Sequence, residues 1–252
     1  MHFTSATTAD GVTERRFTLD GVPGVLWLPA DALAAASADA PTRRPLVLLG
    51  HGGGQHKLGP GLVARAGRCA TRYGFAAAAI DAPGHGERPR TAQDERFATE
   101  IGELLATGRP ISAQVARHTA ALAEQAVPEW QAVLDALRRL DAVGPDGPVG
   151  YWGLSLGTVI GIPLAAADPR ITAAVFGLAG HESLTETARR VTAPVEFLLQ
   201  WDDELVPREG ALALFDAFPS AEKTLHANPG GHLELPDFEV TASELFLARH
   251  LQ

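Results

Sequence analysis

The residues best suited to chemistry stand in the pentapeptide Gly-Leu-Ser-Leu-Gly at 153–157. An apolar run at 148–152 precedes it and an apolar stretch at 158–167 follows it, which predicts a strand, a tight turn and a helix. The two glycines remove side chains that would collide across such a turn. The Ser155 hydroxyl would then lie at the carboxyl end of a sheet, beside helix amides that can bind an oxyanion. The alternative is a glycine-rich turn with an incidental serine.

A serine hydroxyl is a poor nucleophile at neutral pH, so Ser155 would need a base, an acid that orients the base, and donors for the oxyanion. The base candidate is His232, which ends a Pro-Gly-Gly-His segment after the last predicted strand. The acid candidates are the three carboxylates at 202–204, which follow the predicted strand 194–200. Catalytic groups gather at that end of parallel strands. The pattern leaves the choice among the three carboxylates open.

Oxyanion donors are predicted in two places. The segment His-Gly-Gly-Gly at 51–54 directly follows a predicted strand, and glycines let backbone amides approach a ligand closely. The second donor is the amide of Leu156, the residue after Ser155. A phosphate cradle is the alternative for the triple glycine. It lacks the Lys-Ser/Thr ending of a P-loop and the Gly-x-Gly-x-x-Gly spacing of a dinucleotide site.

The other histidines do not form a metal-binding pattern. His51, His56 and His85 lack metal-ligand spacing, and the sequence contains no His-Glu-x-x-His motif. No metal or cofactor is therefore expected. His181 follows the predicted strand 171–178 and is a candidate for the lining of a pocket. Three further histidines are expected at surface or edge positions: His118, His226 and His250.

Composition and charge limit the classes of protein to which this chain can belong. The 252 residues are 46% hydrophobic and 20% charged, which is ordinary for a globular protein with a sizeable core. The net charge of −9 would repel nucleic-acid phosphates, so nucleic acid is not expected as a partner. The start of the chain lacks a secretory signal and no apolar run approaches a membrane span, so a cytoplasmic protein without a membrane partner is expected. Cys69 is the only cysteine and is expected to be a buried apolar residue.

Apolar strands alternate with helices along most of the chain. Strands are predicted at 45–49, 75–80, 148–152, 171–178, 194–200 and 223–226, and helices at 62–73, 209–218 and 237–250. This alternation predicts an α/β fold with a mostly parallel sheet covered by helices on both faces, in a single domain over 1–252. Two β-like runs within 17–28 predict an N-terminal antiparallel hairpin. Residues 31–44 are interpreted as a surface connection.

One segment, 88–127, is longer than the connection between a strand and a helix requires. It contains helix-like pieces at 94–107 and 111–126, separated by Gly-Arg-Pro at 108–110. Two interpretations stay open. The segment is either a small helical lid over the site or an ordinary helix with a long lead-in.

Taken in order, these motifs resemble those of the α/β-hydrolase superfamily, and within it the dienelactone-hydrolase-like and bacterial carboxylesterase branches. The matching pieces stand at predicted strand ends: HGGG at 51–54, DAPGHGER at 81–88, GLSLG at 153–157, DDELVP at 202–207 and GGH at 230–232. The resemblance covers nearly the whole chain. It implies the α/β-hydrolase fold, with a mostly parallel central sheet and helices on both faces.

The resemblance also implies a role for individual residues. Ser155 is the expected nucleophile and His232 the expected general base. The family's acid stands four residues before the proline of an Asp-x-x-Val-Pro motif. Counting back from Pro207 makes Asp203 the expected acid, with Asp202 as the alternative.

The oxyanion hole that the resemblance implies consists of the amides of Gly53 and Leu156, with Gly54 as an alternative to Gly53. In many relatives a cap follows the strand corresponding to 171–178. The 15 residues at 179–193 are too few for such a cap, so any lid should come from 88–127. A structure in which that segment packs far from the serine would contradict this expectation.

The expected activity is hydrolysis of a small-molecule carboxylic ester through an acyl-enzyme intermediate. The same groups also serve other acyl transfers, so a thioesterase or acyltransferase for a carrier-bound acyl chain is an alternative, and so is a non-catalytic binding protein. The substrate is not readable from the sequence. Trp201, Phe97 and Leu154 are candidate lining residues, and the oligomeric state, monomer or homodimer, stays open.

Overall fold

A nine-stranded sheet forms the centre of the computed structural model, which describes residues 1–35, 43–109 and 111–252. The strands are β1 (His2–Ala9), β2 (Val12–Leu19), β3 (Val22–Pro29), β4 (Leu46–Gly50), β5 (Ala76–Ile80), β6 (Val149–Gly153), β7 (Ile171–Gly177), β8 (Val195–Gln200) and β9 (Lys223–Asn228). The helices are α1 (Ala32–Ala35), α2 (Pro60–Tyr73), α3 (Ala92–Ala106), α4 (Ser112–Leu137), α5 (Leu156–Ala167), α6 (Glu182–Ala188), α7 (Arg208–Ala217) and α8 (Asp237–Leu251).

The strand order across the sheet is β1-β2-β3-β5-β4-β6-β7-β8-β9. From β5 to β9 all neighbouring strands are parallel. The first three strands pair antiparallel with one another, and β3 pairs antiparallel with β5. The predicted mostly parallel sheet is therefore confirmed, and β4 and β6 bring their carboxyl ends side by side in its middle.

Helices cover both faces of this sheet, as predicted. One face packs against α4, α5 and α7, which contribute Leu134, Ile162 and Leu214 to the larger hydrophobic core. The other face packs against α2 and α8, which contribute Leu62 and Phe246 to a second core. The strands in the middle of the sheet are buried along their whole length because they are covered on both sides.

The predicted N-terminal hairpin is part of a three-stranded antiparallel sheet. Its turn at Asp20-Gly21 has positive φ at both residues, 50° and 82°, as a two-residue hairpin turn requires. A third strand, β1, which the sequence analysis missed, joins through a turn of the same kind at Asp10-Gly11. Almost every residue of β1 is exposed, so it lacks the alternation that marks a half-buried strand.

Most predicted helices begin and end within a few residues of their expected bounds. α2 ends where Gly74 adopts a left-handed conformation at φ 71°, and the Cys69 on this helix is buried as expected. The helix predicted at 111–126 continues to Leu137, passing through Pro128. Of the expected surface connection at 31–44, residues 36–42 lie outside the described residues, as does Pro110 of the predicted break. No helix in the described ranges is long and apolar enough to cross a membrane.

Candidate active site

Ser155 occupies the tight turn between β6 and α5, in a backbone conformation that few residues adopt. Its φ is 55° and its ψ is −117°. Such a conformation costs on the order of 1–3 kcal/mol, so the surroundings must hold it in place. The Ser155 amide donates to the carbonyl of Gly177 at 3.0 Å, which ties the turn to the end of β7.

Close packing explains the two glycines around Ser155. A Cβ at Gly153 would lie 2.8 Å from the Tyr151 ring and 2.9 Å from the backbone of Gly157. A Cβ at Gly157 would lie 2.8 Å from the carbonyl oxygen of Gly50 on the neighbouring strand β4. Real Cβ atoms do not approach other atoms so closely, so both positions require glycine for α5 to pack against the sheet.

Two buried hydroxyl groups hold the same turn, and the sequence analysis missed both. The Tyr151 hydroxyl donates to the carbonyl of Gly157 at 2.6 Å. The Thr158 hydroxyl lies 2.8 Å from the Gly153 carbonyl and 2.6 Å from the Gly177 carbonyl, and it accepts from the Gly177 amide at 2.8 Å. Both side chains are fully buried. Their signal in the sequence is only their position beside the pentapeptide.

His232 lies within hydrogen-bond distance of both Ser155 and Asp203. Its Nε2 is 3.0 Å from the Ser155 Oγ, and its Nδ1 is 2.8 Å from Oδ2 of Asp203. With a proton on Nδ1, the ring donates to the carboxylate and accepts from the serine hydroxyl. His232 is only 5% exposed, so these contacts are largely shielded from water. The structure thus brings together three residues that lie far apart in the sequence.

Asp203 and Asp202 make different contacts. Oδ1 of Asp203 accepts the amides of Leu205 and Val206 at 2.8 and 2.9 Å, while its other oxygen faces the His232 ring. Burial raises the pKa of Asp203, but the hydrogen bonds from His232 and the two amides outweigh burial, so the pKa is lowered overall and the carboxylate stays charged. Asp202 instead accepts the amide of Gly230 at 3.2 Å.

The predicted oxyanion donors border the same space as Ser155. Leu156 is the first residue of α5, where an amide has no partner within the helix. Gly53 and Gly54 are the central residues of a turn closed by the Gln55 amide and the Gly52 carbonyl at 3.2 Å. Gly54 has a φ of 72°, which explains a glycine there.

His51 positions the glycine-rich turn. Its Nδ1 lies 2.8 Å from the Gly52 carbonyl, and its Nε2 accepts the Ala82 amide at 3.0 Å. Burial lowers the pKa of His51 to about 4, so the ring is neutral at neutral pH, as these two bonds require. Within the described part of the chain, no group of three His, Cys, Asp or Glu side chains is placed to hold a metal ion.

A buried ion pair fixes this turn to the loop after β5. Lys57 Nζ lies 2.7 Å from Oδ2 of the fully buried Asp81 and 2.7 Å from the Glu87 carboxylate. Asp81 also accepts the amides of Lys57 and Glu87, each at 2.9 Å. The motif at 81–88 is visible in the sequence, whereas Lys57 stands outside it. A lone lysine in a loop gives no signal of its own.

A cavity of about 990 Å³ opens in front of these groups. Its walls include Ser155, His232, Gly53 and Leu156. Of the other candidates from the sequence, three line it as well: Leu154, Phe97 and His181. Trp201 does not belong to the lining, and its ring lies 4.0 Å from the Arg208 guanidinium on the outside.

The segment at 88–127 lies beside Ser155 and not far from it. α3 and α4 contribute side chains to the cavity wall, among them Phe97, Val115 and Leu122. His118 was expected at the surface, but it lines the cavity and stacks on Phe97 with 3.8 Å between the ring centroids. His226 lies on the edge strand β9, as expected. The segment thus lies close enough to Ser155 to cover it, and its action as a lid stays a prediction.

In comparisons with known proteins, the matches to this chain are solved structures of other proteins. No family model matches it, and no curated protein matches it. A cold-adapted esterase from an Arctic intertidal metagenomic library, in a PEG-bound complex, is 36% identical over 100% of both chains, with a TM-score of 0.76. Acetyl xylan esterase 1 from Thermoanaerobacterium sp. JW/SL YS485 covers 100% of this chain and 88% of its own at 14% identity, with a TM-score of 0.71. Est1E from Butyrivibrio proteoclasticus, with ferulic acid bound, covers 93% and 98% at 17% identity, with a TM-score of 0.64. The last two show likeness of fold alone.

Proposed function

Since this chain belongs to the α/β-hydrolase superfamily, among its esterases, we propose that it hydrolyses a small-molecule carboxylic ester with Ser155 as the nucleophile. One observation carries this proposal. Ser155, His232 and Asp203 form a continuous chain of hydrogen bonds of 3.0 and 2.8 Å at the wall of a large cavity. A buried network of this kind activates a hydroxyl that is unreactive by itself.

The first half of the reaction forms an acyl-enzyme. His232 Nε2 takes the proton from the Ser155 hydroxyl, and the Oγ attacks the ester carbonyl carbon. The carbonyl oxygen becomes an oxyanion, for which the amides of Gly53 and Leu156 are the proposed donors. When the intermediate collapses, the ester C–O bond breaks and His232 gives its proton to the leaving alcohol.

The second half repeats these steps with water in place of the serine. His232 takes a proton from a water molecule, which attacks the acyl-enzyme carbonyl. The bond to the Ser155 oxygen then breaks, and His232 returns the proton to that oxygen as the acid product leaves. Both halves use the residues described above and need no other group.

Asp203 is proposed to fix the tautomer of His232. Its carboxylate accepts from Nδ1, so Nε2 is left without a proton and can act as the base. A charged carboxylate also stabilises the imidazolium that forms in each transition state. The lowered pKa of Asp203 supports this role, because the group stays ionised throughout the neutral range.

The shape and lining of the cavity suit an ester that carries a bulky apolar group. Its wall beside Ser155 is formed largely by apolar side chains of α3, α4 and α5, such as Phe97, Val115 and Val159. We propose that 88–127 acts as a lid within a single domain and contributes this apolar wall. Apolar walls with a few placed polar groups are typical of sites for small molecules.

Intact mass after exposure to a fluorophosphonate tests the proposal, because the reagent reacts only with an activated serine. We expect one adduct on the wild type and none on Ser155→Ala. Ser112→Ala is the matched control, since Ser112 lines the same cavity from α4, and it should keep the adduct. Absence of an adduct on the wild type would contradict the proposal.

Ester and thioester panels with matched acyl groups then define the bond that is cleaved. Hydrolysis of simple aryl esters should be the faster reaction. Slow turnover of esters together with fast turnover of thioesters would favour a thioesterase instead. A wild-type protein that labels but turns over neither panel would contradict the proposed ester hydrolysis.

A further inference from the structure

The loop that carries His232 is held by the residues directly after β8. The Trp201 amide donates to the Asn228 carbonyl at 2.6 Å, and the Asp202 amide donates to the Gly230 carbonyl at 3.1 Å. Residues 229–235 form neither a helix nor a strand. No hydrogen-bond ladder of a helix or strand therefore holds this loop. The position of the His232 ring depends instead on individual hydrogen bonds to the loop.

Three consecutive amides of this loop each donate to a different carboxylate. The Gly230 amide lies 3.2 Å from the Asp202 carboxylate, and the Gly231 amide lies 2.7 Å from the Glu234 carboxylate. The His232 amide lies 3.0 Å from Oε2 of Glu204. Hydrogen bonds to charged acceptors are stronger than those between neutral groups, so each contact restrains the loop.

The carbonyl groups of the same loop face one buried side-chain amide. Gln200 is the last residue of β8 and is 2% exposed. Its Nε2 lies 3.0 Å from the Glu234 carbonyl and 3.4 Å from the carbonyls of Pro229 and Gly231. The carbonyls of the loop are thus held by the buried Gln200 amide, and its amides are held by carboxylates.

The glycines of the loop allow these contacts. A Cβ at Gly231 would lie 2.8 Å from Oε2 of Glu204, and a Cβ at Gly230 would lie 3.0 Å from Oε2 of Glu234. Gly230 also has a φ of 112°, which other residues rarely adopt. These close approaches explain both glycines, since the carboxylates can reach the backbone only in the absence of side chains.

We propose that Glu204 is a positioning residue, which keeps the His232 ring in line with Ser155 by accepting the His232 backbone amide. The inference rests on the proposed function, because it assigns Glu204 to the placement of the general base. Glu204 touches the backbone of His232 and not its ring, so it acts through His232. Each of the three adjacent carboxylates thus has a separate contact: Asp202 with Gly230, Asp203 with the imidazole, and Glu204 with the His232 amide.

The test compares Glu204→Ala with Glu204→Gln in hydrolysis of a chromogenic aryl ester. The alanine variant loses the acceptor, and we expect kcat to fall about 10- to 100-fold, as small displacements of a catalytic group do, with KM nearly unchanged. The glutamine variant keeps an acceptor oxygen of the same reach and should recover most of kcat. Thermal unfolding of both should stay close to wild type, because the side chain is exposed.

Glu209→Ala is the matched control, because Glu209 is exposed on the adjacent α7 and its loss removes the same charge. Its kcat should equal that of the wild type. The inference is overturned if Glu204→Ala behaves like Glu209→Ala. It is also overturned if glutamine restores no more activity than alanine, since charge and not the hydrogen bond would then be responsible.

Hydrogen exchange separates a failure of this inference from a failure of the proposed function. Exchange of the amides at 229–235 should be faster in Glu204→Ala than in wild type, whether or not the protein hydrolyses esters. If the wild type neither labels nor hydrolyses while exchange still rises, the proposed function fails and the restraint of the loop stands. Unchanged exchange at 229–235 would overturn the inference by itself.

Discussion

The two segments that meet in the candidate active site are held in different ways. The turn carrying Ser155 is enclosed by the core, where Gly157 lies against β4 and the Tyr151 hydroxyl is fully buried. The loop carrying His232 lies at the rim, where exposed carboxylates accept its amides. Close packing holds the nucleophile, whereas charged hydrogen bonds hold the base. The two halves of the site should therefore respond to different perturbations.

The largest expected effect comes from Asp203, whose carboxylate faces the imidazole of His232. In Asp203→Asn the side-chain amide can donate to Nδ1, which would favour the wrong tautomer of His232. We expect kcat to fall by about 10⁴, the loss known for this change in a serine protease triad. Steady-state kinetics on an aryl ester measures it.

Asp202→Asn provides the comparison for that variant. Its side chain keeps an oxygen that can accept the Gly230 amide, so kcat should change less than tenfold. Equal losses in the two variants would mean that the loop, and not the tautomer of His232, limits the reaction.

A second prediction concerns the packing of the serine turn. In Gly157→Ala the new Cβ would lie 2.8 Å from the Gly50 carbonyl oxygen, and backbone on both sides prevents relief. We expect kcat to fall about 100-fold, because displacement of the turn misplaces the nucleophile. The free energy of unfolding should fall by about 1–3 kcal/mol, as for overpacked cores. Kinetics and denaturant unfolding measure the two losses.

Gly102→Ala is the control for that substitution. Gly102 lies in α3, and nothing lies within 4 Å of the position its Cβ would take. Alanine is favoured over glycine in a helix by about 0.5–1 kcal/mol, so this variant should be slightly more stable than wild type. A Gly157→Ala protein as stable and active as Gly102→Ala would show that the turn can relax, and the contrast between the two segments would be lost.

Apolar periodicity decides which parts of the structure could be predicted from the sequence. Regular strands and helices follow from apolar periodicity, so most of the sheet was predicted close to its observed bounds. β1 was not, because its exposed residues carry no periodic signal. The end of α4 was also missed, because a proline such as Pro128 ordinarily ends a helix, whereas α4 continues through it to Leu137.

Within the site, the residue types that do chemistry were visible in the sequence, but their supports were not. Ser155 and His232 stand in short motifs with glycines at fixed spacing. Thr158, Lys57 and Gln200 act through contacts with residues distant in the sequence, so only the three-dimensional arrangement reveals them. The residues alone could not decide between Asp202 and Asp203, because adjacent carboxylates differ only in the direction in which each side chain points.

The smallest expected effect is a difference in acid sensitivity between the two segments. The hydrogen bond from the His232 amide is the main cause that lowers the pKa of Glu204 below its ordinary 4.5. Hydrogen bonds to Asp203 outweigh its burial and lower its pKa below the ordinary 3.8. A carboxylate with a lowered folded-state pKa stabilises the fold above its ordinary pKa, and this contribution is lost as the pH falls through the folded-state pKa. The His232 loop should therefore loosen in acid.

The serine turn should not loosen over the same range, because its supports do not titrate there. Burial raises the pKa of Tyr151 above its ordinary value, so this hydroxyl stays neutral. The backbone of the turn is otherwise held by backbone groups and by the Thr158 hydroxyl. Amide exchange at 229–235, taken as a ratio to exchange at 150–157, should rise below about pH 4, where carboxylates become protonated. The ratio removes the intrinsic effect of pH on exchange. A constant ratio down to global unfolding would mean that packing, and not charge, also holds the base.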